Sequence, residues 1–322
     1  MEELFKLGEA VLEGKLPLEA LRDYPERRPR RVPVENPFKR SALIVSADRL
    51  RHLKKAFLRP ADVLIFNLED GVSDSHKPFA RLFLRKFLLN TDFDGSKEVV
   101  VRVNAPDSPY YWDDLTAILP AVPHAIRLSK VRSVEDVTTL DKVISAFERS
   151  RGVQEGFIKI QLSVETPQAV KRLSQVVAAS PRVNAVYLGI LDLFAELGVS
   201  QRLTDSHLAR YLKCKFVFEA RSFRVYPIGP AYQQFEDLEG FEREALEEKS
   251  LGFAGKICIS VKQVEIANKV FSPSEEELRE AEEIVKLYEE ALKEGRGGVT
   301  YKGLFIDQPI YKDALNKLRF SG

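Results

Sequence analysis

The sequence predicts an α/β protein built as a (β/α)8 TIM-type barrel, with an N-terminal arm before it and a helical appendage after it. Three observations carry that expectation. Eight short apolar, β-branched runs alternate with eight amphipathic segments, the order that parallel βαβ units impose. The alternation fills about 230 residues from Ser41 onward, which suits a barrel better than an open doubly wound sheet. No GxGxxG or GxxxxGKS follows the first run, so a nucleotide-binding sheet would lack its phosphate loop.

The arm, residues 1–38, opens with Leu4, Phe5, Leu7, Val11 and Leu12 at helical spacing. The stretch PERRPRRVPVENP that follows cannot hold regular structure, because proline fixes φ and removes a donor. Its arginines read as a solvated or subunit-wrapping arm, with phosphate contacts as the alternative. The barrel, residues 39–271, has strand-like runs at 42–46, 63–68, 99–103, 125–131, 158–164, 185–190, 225–228 and 255–260. Helical spacing appears at 49–58, 77–89, 112–119, 134–149, 167–179, 207–221, 238–251 and 261–270. The appendage, residues 272–322, begins with a capping box of Ser274 and Glu277 that starts a long charged helix. The stretch RGGVTYKGLFIDQP then reads as a glycine-rich loop and a short extended run, a terminal piece suited to packing or oligomer contacts.

Composition narrows the function. A formal net charge of +1 gives no nucleic-acid footprint. No apolar run approaches the roughly 20 residues that cross a bilayer, and MEELFKLGEAVLEGK is too acidic for a signal peptide. Cys214 and Cys258 form no metal-spaced cluster, so a reduced cytoplasmic setting without structural zinc is expected. Long Glu/Lys helices and a single Met suit a thermophile. No GxSxG provides a nucleophile elbow; His52 and His207 fall in helical segments, and His76 follows the LED loop, close to the rim.

Catalytic groups of such barrels gather where strands end. The second run ends in Glu69-Asp70, the third contains Arg102, and the fourth carries Lys130. The fifth and sixth end in Glu165 and Asp192, lone acids after apolar runs. Two such carboxylates can share Mg²⁺ and leave its other positions to water and substrate, whereas the plainer reading makes each a cap for the next helix. An arginine inside VVVRVN suits gripping a carboxylate. Glu69, Asp70 and Lys130 can equally form a salt bridge at the barrel mouth. Lys130 also suits a Schiff-base aldolase, but the paired acids favour metal-assisted chemistry.

These residues lie in an ordered series: Arg40-Ser41, ADVLIFNLEDGV, VVVRVN, IRLSKV, SVETPQAV, YLGILDLFAELG, GFAGKICIS and YKGLFIDQP. In that order they resemble the citrate lyase β-subunit and malyl-CoA lyase group of the HpcH/HpaI aldolase superfamily. The resemblance implies Mg²⁺ held by Glu165 and Asp192, and Arg102 on the substrate carboxylate or thioester carbonyl. It also implies Arg40, Glu69, Asp70 and Lys130 around the acyl thioester. Asp307, read from the sequence alone as a turn residue, becomes an acid/base that reaches a neighbouring subunit's site within a homotrimer or hexamer. The sequence departs from the family at the rim, with Ser46-Ala47 for Pro-Gly, Asn67 for Asp and Ser129 for Pro. Gly229 stands near a usual Asp, and Ser260-Val261 replaces His-Pro.

The reaction implied is a reversible Claisen-type cleavage of a citryl-, malyl- or citramalyl-CoA, or of the same acyl group on a carrier protein. An acyl-CoA thioesterase on the same site, and a weakly catalytic subunit working with other lyase subunits, are the alternatives.

Overall fold

The computed structural model describes residues 1–36, 38–202 and 206–319. Strands β1 (Ser41–Ser46), β2 (Val63–Asn67), β3 (Glu98–Val103), β4 (Ala125–Leu128), β5 (Lys159–Val164), β6 (Val183–Leu188), β7 (Tyr226–Gly229) and β8 (Gly255–Cys258) form a closed barrel. Every neighbouring pair is parallel, and β1 pairs with both β2 and β8. Alternate residues point inward. Ala42, Val63, Ile65, Val100, Ala125, Ala185, Tyr187, Ile228 and Ile257 pack there as one cluster. Residues of the other parity, such as Leu64, Phe66, Val99, Val101 and Ile126, are also fully buried, under the helices. Burial on both faces explains why the strands read as continuous apolar runs.

Closure depends on one glycine. A Cβ at Gly255 would lie 1.8 Å from the Lys39 carbonyl oxygen and 2.7 Å from that of Arg40. Both are backbone atoms, so only glycine lets β8 come in beside the chain entering β1.

The helices follow their apolar spacing. Lys77–Leu89 buries Phe79, Phe83 and Phe87, and Val134–Arg151 opens on a capping box of Ser133 and Asp136. The fourth and eighth runs stop short, at Leu128 and Cys258, and two further segments change character. The sixth run stops at Leu188 rather than continuing to 190, and Ile190–Leu197 is a helix that buries Ile190, Leu193 and Phe194. The span 167–179 is two short helices, Pro167–Lys171 and Leu173–Ala178, broken at Arg172.

The arginine-rich stretch is held on the chain's own barrel. The Arg31 backbone bridges to Phe93, and its guanidinium lies 3.6 Å from that ring's centroid. It also donates to the carbonyls of Leu88, Thr91 and Ala121 at 2.7–2.8 Å. For Arg31 this replaces the expected solvated position, because three backbone carbonyls and an aromatic face of its own chain take up the cation. Phe5 of the first helix packs edge-on against Phe83 and Phe87.

The chain divides into two compact units, Met1–Asn268 and Lys269–Gly322. In the second, helix Glu275–Lys293 has the expected capping box, followed by the hairpin β9 (Val299–Tyr301) and β10 (Leu304–Ile306) and the helix Gln308–Leu318. Ala281, Ile284, Tyr288, Tyr301, Ile306 and Ala314 form its core. Among the described residues no helix is long and apolar enough to cross a membrane.

Candidate active site

The carboxyl ends of the strands surround a cavity of about 430 Å³ lined by Ser46, Asn67, Asp70, Arg102, Arg127, Glu165 and Asp192, with Ile44, Leu188 and Ile257 among its apolar walls. A second cavity of about 560 Å³ touches Glu69, Asp70, Lys77, Asn104 and Lys130. A larger one, about 770 Å³, lies between the arginine-rich stretch and residues that precede β4 and β5. It is therefore at the amino-terminal end of the strands, away from these polar groups.

Glu165 follows β5 directly and is 2 % exposed. It is not the cap of the next helix: Thr166 Oγ1 accepts the Ala169 N–H at 3.1 Å and fills that role. The Glu165 carboxylate is thus left for other partners. Its Oε1 accepts the Lys130 N–H at 2.8 Å and lies 3.3 Å from Arg102 Nη2. Lys130 has φ +47°, a left-handed conformation that side chains rarely adopt, and this turn aims its N–H at Glu165. On the other side Glu165 rests against Gly189, where a Cβ would come within 2.6 Å of Oε2.

Asp192 does not end a strand. It sits in the first turn of helix Ile190–Leu197, whose N-cap, Gly189, has no side chain to cap with. Gly189 ends the strand because its N–H still pairs with Val164 while the chain turns into the helix. Asp192 nevertheless lines the same cavity as Glu165. Burial, and then the Glu165 charge, raise its pKa above the ordinary aspartate value.

Arg102 is 8 % exposed and occupies the centre of the charge pattern. Its Nη2 lies 2.9 Å from Glu69, and Nε donates to Ser129 Oγ at 3.0 Å. Burial opposes the cation, but Glu165 and Glu69 outweigh it and hold the pKa above the usual guanidinium value. Lys130 Nζ bridges Glu69 at 2.9 Å and Asp70 at 2.8 Å. Burial pushes the Glu69 carboxyl up despite the nearby cations. Asp70 is more open, and although burial opposes its charge, hydrogen bonding to Lys130 and Glu69 together with the Lys130 and Arg102 charges holds its pKa low. The salt-bridge reading of these three residues and their place at the site mouth hold together.

Arg40 is not brought to this site. It precedes β1, at the opposite end of the barrel, and its guanidinium grips Asp62 through Nε and Nη2 at 2.8 Å each. The expectation that it touches the acyl thioester is corrected by that geometry. Asp307 belongs to the second unit, where it precedes helix Gln308–Leu318 without a side-chain capping bond. His76 pairs with Asp48 at 3.0 Å.

Several functional-looking residues escaped the strand-end criterion. Arg127 is 2 % exposed, is the register partner of Arg102 and faces the same cavity. Lys77 Nζ donates to the carbonyls of Leu68 and Glu69 and to Asn104 Oδ1, bracing the LED loop. Asn67 braces it from within, donating to the Asp70 carbonyl and accepting the Glu69 N–H.

Among the described residues no three His, Cys, Asp or Glu side chains form a metal cage. The donor set instead suits a hard dication held by one or two carboxylates, with the remaining positions open to substrate and water. The Glu165 charge raises the cost of ionising Asp192, which a cation between them would offset.

Comparison with known proteins gives a consistent family. Residues 40–261 match the family HpcH/HpaI aldolase/citrate lyase. Citrate lyase subunit beta of Haemophilus influenzae is 30% identical over 272 residues, covering 84% of this chain and 93% of that one. L-malyl-CoA/beta-methylmalyl-CoA lyase of Rhodobacter capsulatus is 31% identical over 266 residues, 77% of this chain and 83% of the other. The crystal structure of CitE from Mycobacterium tuberculosis, in complex with magnesium, acetoacetate and coenzyme A, superposes with a TM-score of 0.71 at 28% identity. It covers 88% of this chain and 97% of its own.

Proposed function

Because this chain belongs to the HpcH/HpaI aldolase/citrate lyase family, we propose that it is a Mg²⁺-dependent carbon–carbon lyase acting on a 3-hydroxy-acid thioester of the citryl, malyl or citramalyl class. The observation that carries this reading is the convergence of Glu165, Asp192 and Arg102 on one cavity at the carboxyl ends of the strands.

Glu165 and Asp192 would hold the metal. When bound, Mg²⁺ supplies a Lewis acid and a template for the adjacent hydroxyl and carboxylate of the substrate. Arg102 offers fixed N–H donors, set by Ser129 and Glu69, to the thioester carbonyl oxygen. As the hydroxyl proton passes to a base in the cavity, water or a carboxylate, the electrons of the O–H bond form the keto acid's carbonyl. The carbon–carbon pair passes to the acetyl thioester as an enolate, whose oxygen Arg102 stabilises. Asp307 of a neighbouring subunit gives the enolate carbon its proton, or removes one in the condensing direction. In this reading the chain works as a homotrimer or hexamer, and Glu69, Asp70 and Lys130 shape the thioester entrance.

Mass-spectrometric product analysis of citryl-, malyl- and citramalyl-CoA, with Mg²⁺ and with EDTA, tests this. Acetyl-CoA plus a keto acid is expected with Mg²⁺ only, and Glu165→Gln or Asp192→Asn should abolish both turnover and Mg²⁺ binding by calorimetry. Free CoA with an intact hydroxy acid would replace the lyase by a thioesterase. No turnover on any of them would leave a binding subunit.

A further inference from the structure

Arg127 is a buried cation that Glu165 and Glu69 favour only from a distance, with no carboxylate paired to it among the described residues. A guanidinium carries five N–H donors. Here Nε donates to Ser163 Oγ at 2.9 Å, and Nη1 has no partner. The guanidinium carbon lies 3.9 Å from the centroid of the Tyr187 ring, and Tyr187 is itself fixed by a 2.8 Å hydrogen bond to Gln161. Among the described residues no carboxylate lies within ion-pair distance of Arg127. Arg102, its register partner on β3, has two, Glu69 and Glu165. Burial, and then the Arg102 charge, push the pKa of Arg127 down to about 10. Holding two guanidinium groups side by side in a desolvated cavity is costly unless an anion joins them.

Much of the surrounding wall is apolar, with Ile44, Leu188, Pro230, Ala231, Ile257 and Ile259. A neutral substituent entering this space would leave Arg127 desolvated and without an anion. A carboxylate would accept the free edge of its fork.

We propose that Arg127 selects the substrate by a second carboxylate. The three candidate acyl groups differ in one substituent on the carbinol carbon, which is hydrogen in malyl, methyl in citramalyl and carboxymethyl in citryl. Arg127 binds the carboxymethyl group, so the preferred substrate is a citryl-type thioester and the keto acid released carries two carboxylates. This rests on the lyase reading above. A site built around a polar group rejects analogues that lack it more strongly than an apolar pocket rejects an extra methyl.

The test is calorimetric titration of the Mg²⁺-loaded protein with freshly dissolved oxaloacetate, pyruvate and glyoxylate, which share the 2-oxo carboxylate and differ only in that substituent. The wild type is expected to bind oxaloacetate roughly tenfold to a hundredfold tighter than pyruvate. Arg127→Met should remove that preference while leaving pyruvate affinity unchanged, and Arg127→Lys should keep part of it. Its Tm should not fall, since Met replaces a cation that has no carboxylate partner with an apolar side chain of similar reach. Equal affinities in the wild type, equal losses for all three acids, or a marked drop in Tm of Arg127→Met would overturn the inference and leave the lyase reading standing. Failure of all three acids to bind would instead remove the lyase reading and this one with it.

Discussion

Ser129 Oγ accepts from Arg102 Nε at 3.0 Å while donating to the Val103 carbonyl at 2.7 Å, so one hydroxyl ties the guanidinium's edge to the backbone of β3. The resembling family has proline here, which can make neither bond. Ser129→Ala should let Arg102 settle on Glu69 and Glu165 alone and lose its aim at the substrate. Loss of one charge-assisted hydrogen bond predicts a fall of about tenfold in kcat/KM on the acyl-CoA substrate. Mg²⁺ affinity should hold, and an unchanged rate would show that the carboxylates position Arg102 unaided. At this scale the sequence was readable where a charged residue interrupts an apolar run. Arg102 inside VVVRVN gave that signal, and Arg127 inside AIRLSKV gives it equally, although a strand-end criterion does not select it. Arg40 shows the converse difficulty. A residue just before a strand lies at the opposite mouth from one just after it, so adjacency to β1 says nothing about access to the site.

The eight strands and their connecting helices were legible because burial on both faces gives a parallel strand an apolar run that amphipathic spacing cannot imitate. Helix Ile190–Leu197 was not, since ILDLF continues the apolar character of β6 and only Gly189 marks the change of period. The ionic cluster behind the barrel was also illegible, as it needs three elements to meet. Lys256 of β8 is fully buried and binds Glu244 at 2.7 Å and Glu248 at 2.8 Å, both on helix Leu238–Leu251, while Lys213 approaches Glu248 at 3.2 Å. Burial pushes Glu248 up to about 7 against the pull of both lysines. A carboxyl whose folded pKa exceeds its unfolded value of 4.5 holds more protons folded than unfolded between the two. Its contribution to stability therefore falls as pH rises from about 4.5 toward about 7. Urea unfolding across that window should show the decline in the wild type, and Glu248→Gln should flatten it. An unchanged slope in the variant would assign the pH dependence to other groups.

For the whole molecule the decisive matter is whether one chain carries a complete site. Glu165, Asp192 and Arg102 belong to the unit Met1–Asn268, and Asp307 to the unit Lys269–Gly322. If Asp307 serves the cavity of a neighbouring subunit, two inactive variants should rescue each other. Arg102→Met spoils a subunit's own cavity but leaves an intact Asp307 to lend, whereas Asp307→Asn keeps the cavity and lends nothing. In oligomers co-assembled at equal ratio, about a quarter of all cavities are intact and face a usable neighbour, and in doubly tagged trimers, from which the inactive homotrimers are removed, about a third of wild-type activity should return in a closed ring. Co-expression with two affinity tags, isolation of the doubly tagged oligomer and an acetyl-CoA assay would measure it. Hybrids that stay inactive, although each homo-oligomer still binds Mg²⁺, would place Asp307 in its own chain's reaction, whereas an Asp307→Asn homo-oligomer that turns over would place it outside the chemistry. Rescue in the hybrids would instead make the oligomer itself part of the active site, a property that no single strand, helix or motif carries.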